Sequence, residues 1–387
     1  MDLSYILNQL GEERELYYNA MSPPVIQTSN FVVRDVAALR KAFADEQTSH
    51  LYTRGNNPTV EILRKKLAAL AGAEDALVFS SGVAAVAAAV LANVKTGDHV
   101  VCVSKPYSWT NKLLNNYLSR FGVQVTMVDG TLTENFAKAT QPNTTVYFLE
   151  TPNTFTFELQ DIEAVARLAK QNGIITIVDN SYCTSIGQRC IELGADIEVH
   201  SATKYYGGHS DLVAGVLIGN KEMVKHIYAT ELLNIGGIIS PLDAWLMIRS
   251  MRTLPVRMER IRKTTEAVVA FLENHPQVES LYYPFSKSFP QYDLAQKQMK
   301  WCGGLFTIIL KADTVETVET FCNSLKAFLF AVSWGGHESL LIPACSFPQP
   351  AGGENPQFPF NMIRFYVGLE DVDYLIEDLK QAFKKIE

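Results

Sequence analysis

Val199-His200-Ser201-Ala202-Thr203-Lys204-Tyr205-Tyr206-Gly207-Gly208-His209-Ser210-Asp211 is the stretch on which the reading of this chain turns. A short apolar run leads into two small hydroxyl residues, Ser201 and Thr203, then a single lysine, then a glycine pair. An amine in that setting suits a phosphorylated aldehyde cofactor: the amine holds the aldehyde, the hydroxyls bind the phosphate, and the glycines keep bulk away from the ring. Pyridoxal phosphate has that chemistry. Upstream, Ile174-Ile175-Thr176-Ile177-Val178-Asp179 reads as a buried strand ending in a carboxylate. Such an Asp can pair with a protonated pyridine nitrogen, or it can simply cap the turn after its strand.

Working outward, residues 76 to 211 alternate short apolar runs with helix-length segments, which predicts an α/β fold with a mainly parallel sheet covered by helices. Leu77-Val78-Phe79-Ser80-Ser81-Gly82-Val83 is a strand entering a small-residue turn, and Ala84 to Leu91 follows as a buried helix. Gly82 lets the backbone approach an anion, and the new helix offers free N–H groups and a favourable dipole. The next strand, Val100 to Val103, leads to Tyr107 and Trp109, two aromatics at a C-terminal strand end where open α/β sheets bind ligands. A further strand, Thr145 to Leu149, opens into the polar turn Glu150-Thr151-Pro152-Asn153-Thr154-Phe155. Beyond Asp211 come a strand at Gly215 to Gly219, a loop at Asn234 to Pro241, and a long helix from Asp243 interrupted by Arg252-Thr253-Leu254-Pro255. Proline there predicts a break and a domain boundary. The remainder alternates helix and strand as a smaller α/β domain, with a loop rich in Pro and Gly at Gln349 to Pro359. The expected division is an N-terminal arm over residues 1–57, a cofactor domain over 58–252 and a C-terminal domain over 253–387. The arm has too little continuous apolar pattern for its own core and is expected to pack on a neighbouring subunit.

Composition bounds the partners. At 387 residues, 47% hydrophobic and 19% charged, the chain has ample core for two or three domains. A net charge of −7 without basic clusters argues against nucleic acid and against an anionic membrane surface. No apolar stretch reaches the length of a membrane span, and the N-terminus lacks a basic start and an apolar run, so a cytoplasmic location is expected. Cys102, Cys183, Cys190, Cys302, Cys322 and Cys345 form no zinc-spaced cluster, so no metal site is expected and the thiols read as reduced and structural.

The S-A-T-K-Y-x-G-G-H-S-D stretch after V-D-N resembles the Cys/Met-metabolism family of pyridoxal phosphate enzymes, and the likeness runs over nearly the whole chain. The family comprises cystathionine lyases and synthases, methionine γ-lyase and O-acylhomoserine sulfhydrylases. The resemblance implies the fold of type I pyridoxal phosphate enzymes, an amino-acid substrate and a homotetramer made of two dimers. It makes Lys204 the cofactor-bearing lysine and proton shuttle, and Asp179 the partner of the ring nitrogen. Gly82, Val83, Ser201 and Thr203 would then bind the phosphate, and Tyr107 would stack on the ring. From the residues alone Tyr52 and Arg54 read as loop surface. The family's Y-x-R-x-x-N-P-T motif, matched at Tyr52 to Thr59, implies instead that they reach the phosphate of the partner subunit. Arg364 stands alone among apolar neighbours, where a structural salt bridge is the plainer reading. Its place in R-x-x-x-G-L-E-D implies that it binds the substrate carboxylate, helped by Ser333.

Three departures bear on substrate. The family's E-x-P-x-N-P turn has its Asn at the position of Thr154 here, with Asn153 one place early, so either residue could take that substrate contact. Trp109 stands where a smaller residue is usual. Trp334 matches bacterial cystathionine β-lyases, whereas Val332 replaces a Glu common in enzymes that recognise the far amine of cystathionine. The expected activity is a carbon–sulfur lyase of the transsulfuration type, with β- and γ-elimination both open and a γ-replacement transferase as the alternative.

Overall fold

The computed structural model describes residues 1–347 and 358–387, so the loop expected at Gln349 to Pro359 lies mostly outside the described residues. The apolar runs between residues 75 and 219 become β1 (Asp75–Phe79), β2 (His99–Val103), β3 (Gln124–Val128), β4 (Thr144–Glu150), β5 (Ile175–Asp179), β6 (Ile197–Ser201) and β7 (Gly215–Gly219). They form one sheet in the order β1-β7-β6-β5-β4-β2-β3. Strands β2 to β6 run parallel, and β7 is antiparallel to both β6 and β1. Helices cover both faces, which is why the central strands are continuously apolar rather than alternating. Parallel strands bring all their C-terminal ends to one edge. Register then places Glu150 of β4 opposite Asp179 of β5 on that edge.

A second sheet, in the order β10-β11-β12-β9-β8, contains β8 (Val278–Tyr282), β9 (Leu305–Leu310), β10 (Leu329–Phe330), β11 (Leu340–Pro343) and β12 (Met362–Tyr366). The helices Pro241–Met251 and Leu254–Glu273 connect the two sheets. Arg252 and Thr253 separate them, and Pro255 lies in the first turn of the second helix, where its missing N–H costs no hydrogen bond. The loop expected at Asn234 to Pro241 is tied to the large sheet: Ser80 N–H donates to Gly237 O at 2.8 Å and Ile238 bridges to Phe79.

The start of the N-terminal arm is anchored on its own chain: the helix Leu3–Asn8 buries Ile6 and Leu7 against the helix Pro58–Ala71. The cause is a buried ionic cluster that the apolar pattern does not reveal. Lys66 Nζ donates to the carbonyls of Ile6 and Leu7 at 2.9 and 3.1 Å and pairs with Glu12 at 3.1 Å. Arg252 and Arg14 reach the same carboxylate at 3.1 and 3.3 Å. Beyond Glu12 the arm leaves Leu16, Tyr18, Met21, Val32, Val36 and Phe43 exposed on the single chain. Among the described residues no helix is long and apolar enough to cross a membrane.

Candidate active site

At the C-terminal edge of the large sheet lies a cleft of about 190 Å³, walled by the Ser81–Val83 turn, Tyr107, Asp179, Ser201, Thr203 and Lys204. Its anion-binding end is built by the helix Gly82–Leu91, whose N-cap Ser81 accepts from Ala84 N–H at 3.2 Å. The N–H groups of Gly82 and Val83 sit in the first turn and have no intrahelical acceptor. Glycine is required here by close approach, because a Cβ on residue 82 would stand 2.8 Å from Ser201 Cα. Ser201 is fixed through its own N–H, which donates to Ser181 Oγ at 2.7 Å, and Thr203 Oγ1 accepts from Ala214 N–H at 3.0 Å.

Lys204 follows β6 in a turn closed by Lys204 N–H to Ser201 O and Gly208 N–H to Lys204 O. Its Nζ donates to Ser333 Oγ and lies 5.6 Å from the centre of the Trp334 ring. Burial, reinforced by the positive charge of Arg364 and opposed by Asp179, lowers its pKa to about 8. Asp179, at the C-terminal end of β5, has its two carboxyl oxygens in different settings. One carboxyl oxygen, Oδ1, caps the turn by accepting from Ser181 N–H at 3.0 Å and Ser181 Oγ at 2.6 Å. The other accepts no hydrogen bond among the described residues. Burial raises Asp179 from the ordinary carboxylate range while the Ser181 hydrogen bonds pull it back. Tyr107 is partly exposed on the cleft wall, and its backbone N–H donates to Glu150 Oε2 at 2.6 Å.

Arg364 projects from β12. Among the described residues its guanidinium has neither a hydrogen bond nor an ion pair; its Cζ lies 4.9 Å from the centre of the Phe155 ring. Burial lowers its pKa to about 10 and Glu150 opposes the shift. The salt-bridge alternative therefore has no carboxylate to stand on among the described residues. Ser333 meets Lys204 Nζ rather than a guanidinium. Trp334 packs edge-on against Tyr205, with centroids 5.3 Å apart. Asn153 is spent within its own turn: its side chain donates to Glu158 at 3.0 Å and accepts from Thr156 Oγ1 and Glu158 N–H at 3.1 Å. Thr154 is turned towards Glu150 instead. Tyr52 and Arg54 stack on each other at 5.1 Å, exposed and outside the cleft of their own chain.

Two residues of the site escaped sequence reading. Glu150 becomes part of it only through strand register. Arg257, on the helix Leu254–Glu273, donates to Tyr205 O at 2.9 Å and to Ser250 Oγ at 2.9 Å, while Ser250 Oγ donates to Gly207 O. A buried guanidinium from beyond the large sheet thus grips the turn carrying Lys204.

An anion-binding helix start, an amine and a carboxylate with one unspent oxygen, gathered in one cleft, fit pyridoxal phosphate. Comparison with known proteins points the same way. The family of Cys/Met metabolism PLP-dependent enzymes matches residues 6–384. An L-methionine gamma-lyase of Treponema denticola is 40% identical, covering 95% of this chain and 94% of its own. A cystathionine gamma-lyase of Bacillus subtilis is 36% identical, covering 97% of each. The crystal structure of metB from Corynebacterium glutamicum superposes with a TM-score of 0.93 at 34% identity, covering 100% of this chain and 99% of that one.

Proposed function

From the premise that the chain belongs to the Cys/Met metabolism family of pyridoxal phosphate-dependent enzymes and is a carbon–sulfur lyase of sulfur amino-acid metabolism, we propose that it γ-cleaves an amino acid whose sulfur carries a small apolar group, with L-methionine as the type substrate. The observation that carries this reading is the cleft itself. Among the described residues its lining holds one carboxylate, Asp179, which the cofactor would engage, so those residues offer no counter-ion to the second ammonium of a longer substrate such as cystathionine. Trp109 lines that cleft and Trp334 packs beside Lys204, offering apolar surface to a thioether instead.

The bound cofactor supplies the electron sink for a carbanion at Cα. The protein decides where protons go. Asp179 would keep the ring nitrogen protonated through its second oxygen, and the helix start at Gly82 and Val83, with Ser201 and Thr203, would hold the phosphate. Arg364 offers two parallel N–H groups to the substrate carboxylate, the geometry a guanidinium is built for. Lys204, with its pKa lowered to about 8, has a usable neutral fraction near neutrality and takes the Cα proton. Burial, then Glu150 and Asp179, raise the Tyr107 phenol. Tyr107 therefore keeps its proton and can give it to the departing sulfur. The overall reaction of L-methionine and water to methanethiol, 2-oxobutanoate and ammonia balances without an oxidant.

The reading extends to a homotetramer of two dimers working in the cytoplasm. It is supported by the exposed apolar arm and by Tyr52 and Arg54, which stand outside their own cleft with a guanidinium to offer a neighbour's phosphate. The test is to incubate the enzyme with L-methionine, with L-cystathionine, and with O-acetylhomoserine plus cysteine, and to identify products by mass. Methanethiol with 2-oxobutanoate is expected. Pyruvate with homocysteine would mean β-cleavage, and new cystathionine with little keto acid would mean a γ-replacement transferase; either refutes the proposal.

A further inference from the structure

Phe155 lies in the turn after β4, and three observations set it apart. Its backbone φ is +65°, a conformation that glycine takes freely and a bulky side chain does not. Such strain persists only where the surroundings enforce it, and it gathers at functional sites. The ring is buried and fixed: it stacks on Phe358 with centroids 4.6 Å apart at 24° and meets Phe347 edge-on at 5.5 Å. Finally, the Arg364 guanidinium carbon stands 4.9 Å from its centroid.

A guanidinium that is to receive a substrate carboxylate must be held still without being neutralised. A carboxylate holder would occupy the very N–H groups the substrate needs, and Glu150 is near enough for its charge to act on Arg364. An aromatic face attracts the cation through its quadrupole and uses none of those donors. We propose that Phe155 is a positioning residue for substrate binding: it holds Arg364 by its ring face, keeps the guanidinium from Glu150, and leaves its N–H edge to the carboxylate of the amino acid. The strained backbone is what turns the ring onto the guanidinium. This rests on the reading of Arg364 as the carboxylate anchor.

The experiment uses the holoenzyme with Phe155→Leu, Phe155→Met, Phe155→Tyr and Arg364→Ala. Glycine and methylamine, which differ by the carboxylate, serve as probes whose binding is read from the cofactor's absorption. Steady-state kinetics on L-methionine run in parallel. A desolvated cation–π contact predicts that Phe155→Leu weakens glycine binding and raises KM by roughly ten- to thirtyfold with kcat changed little. Methylamine binding should stay as in the parent, and Phe155→Tyr should restore glycine binding. Phe155→Met offers a flexible side chain that fills irregular gaps without a π face, and it carries the same expectation should the Leu variant not fold. Equal weakening of glycine and methylamine would mean a merely structural role and overturn the proposal. So would unchanged glycine binding in Phe155→Leu while Arg364→Ala loses it, which leaves the anchor reading intact. If Arg364→Ala also binds glycine normally, the anchor reading itself is wrong and the proposal goes with it.

Discussion

Replacing Glu150 by Gln should make this enzyme more stable at neutral pH. Two carboxyl groups in register on β4 and β5, both buried, cannot both ionise cheaply. Both carboxyls accept hydrogen bonds, but Glu150 feels the Asp179 charge on top of its burial while Asp179 has the positive charges of His200 and Lys204 nearby, so the proton resides on Glu150. Burial, and then Asp179, push Glu150 from 4.5 up to about 8. The folded-state pKa is raised, so the stability this group allows is fully present below pH 4.5 and is lost as pH rises towards 8. In between, the unfolded chain releases a proton that the folded chain must keep, at a cost of up to about 1.4 kcal/mol per pH unit.

Between pH 4.5 and 7 that slope accumulates to about 3 kcal/mol, and because Asp179 shares the proton the expected relief is about 2 kcal/mol. Gln mimics the protonated acid. Its amide oxygen can still accept from Tyr107 N–H, now at 2.6 Å from the carboxylate, and its NH₂ can donate to Asp179. For a chain this long, about 2 kcal/mol corresponds to a rise in Tm of roughly 2–3 °C. The assay is calorimetric unfolding of the two holoenzymes at pH 5, 6, 7 and 8. The Glu150→Gln advantage should be near zero at pH 5 and grow steadily to pH 8. A difference that does not change with pH, or a parent protein more stable at pH 8, would refute the shared-proton argument.

Gly82→Ala should lower cofactor affinity at least tenfold by fluorescence titration, because the new Cβ meets backbone atoms of Ser201 that have little room to move. Glu12→Gln should destabilise the protein by roughly 3–5 kcal/mol, since it leaves the buried ammonium of Lys66 without its counter-charge; urea midpoints check this, and an unchanged midpoint would show that the carbonyls of Ile6 and Leu7 suffice. Mixing an Arg54→Ala chain with a Lys204→Ala chain should recover part of the activity that neither homo-oligomer has, and no recovery would mean that Arg54 serves its own subunit.

How much of this was legible in the sequence follows from the distance over which each feature is written. The Gly82 turn, Asp179 and Lys204 each sit where a short apolar strand runs into small or polar residues, a pattern contained within about ten residues. The parallel sheet was readable for the same reason. Asn153 and Thr154 were not separable, because their roles depend on how a single turn folds back on Glu158. Glu150 required the register of two strands, and Arg257 required a helix from beyond the large sheet to be laid on the turn after Lys204. The docking of the first helix depended on Glu12, Lys66 and Arg252, separated by up to 240 positions.

Those same non-local features explain why the site works as a unit. Lys204 is fixed from three directions: by the backbone of its own turn, by Ser333 at its amine, and by Arg257 behind Tyr205. The first comes from the large sheet, the other two from beyond Met251. Arg364 also comes from the second sheet, yet Phe155, whose ring its guanidinium faces, belongs to a turn of the first. Lys204 and Arg364 therefore each meet side chains that cross between the two sheets, so the distance between them is set by how the sheets pack, and on the proposed reading of Arg364 that distance spans the substrate's amine and carboxylate. Arg252, in the break between the connecting helices, is tied to Glu12 and hence to Lys66. The buried ionic cluster thus braces that packing at the junction, and loosening it should shift substrate affinity along with stability.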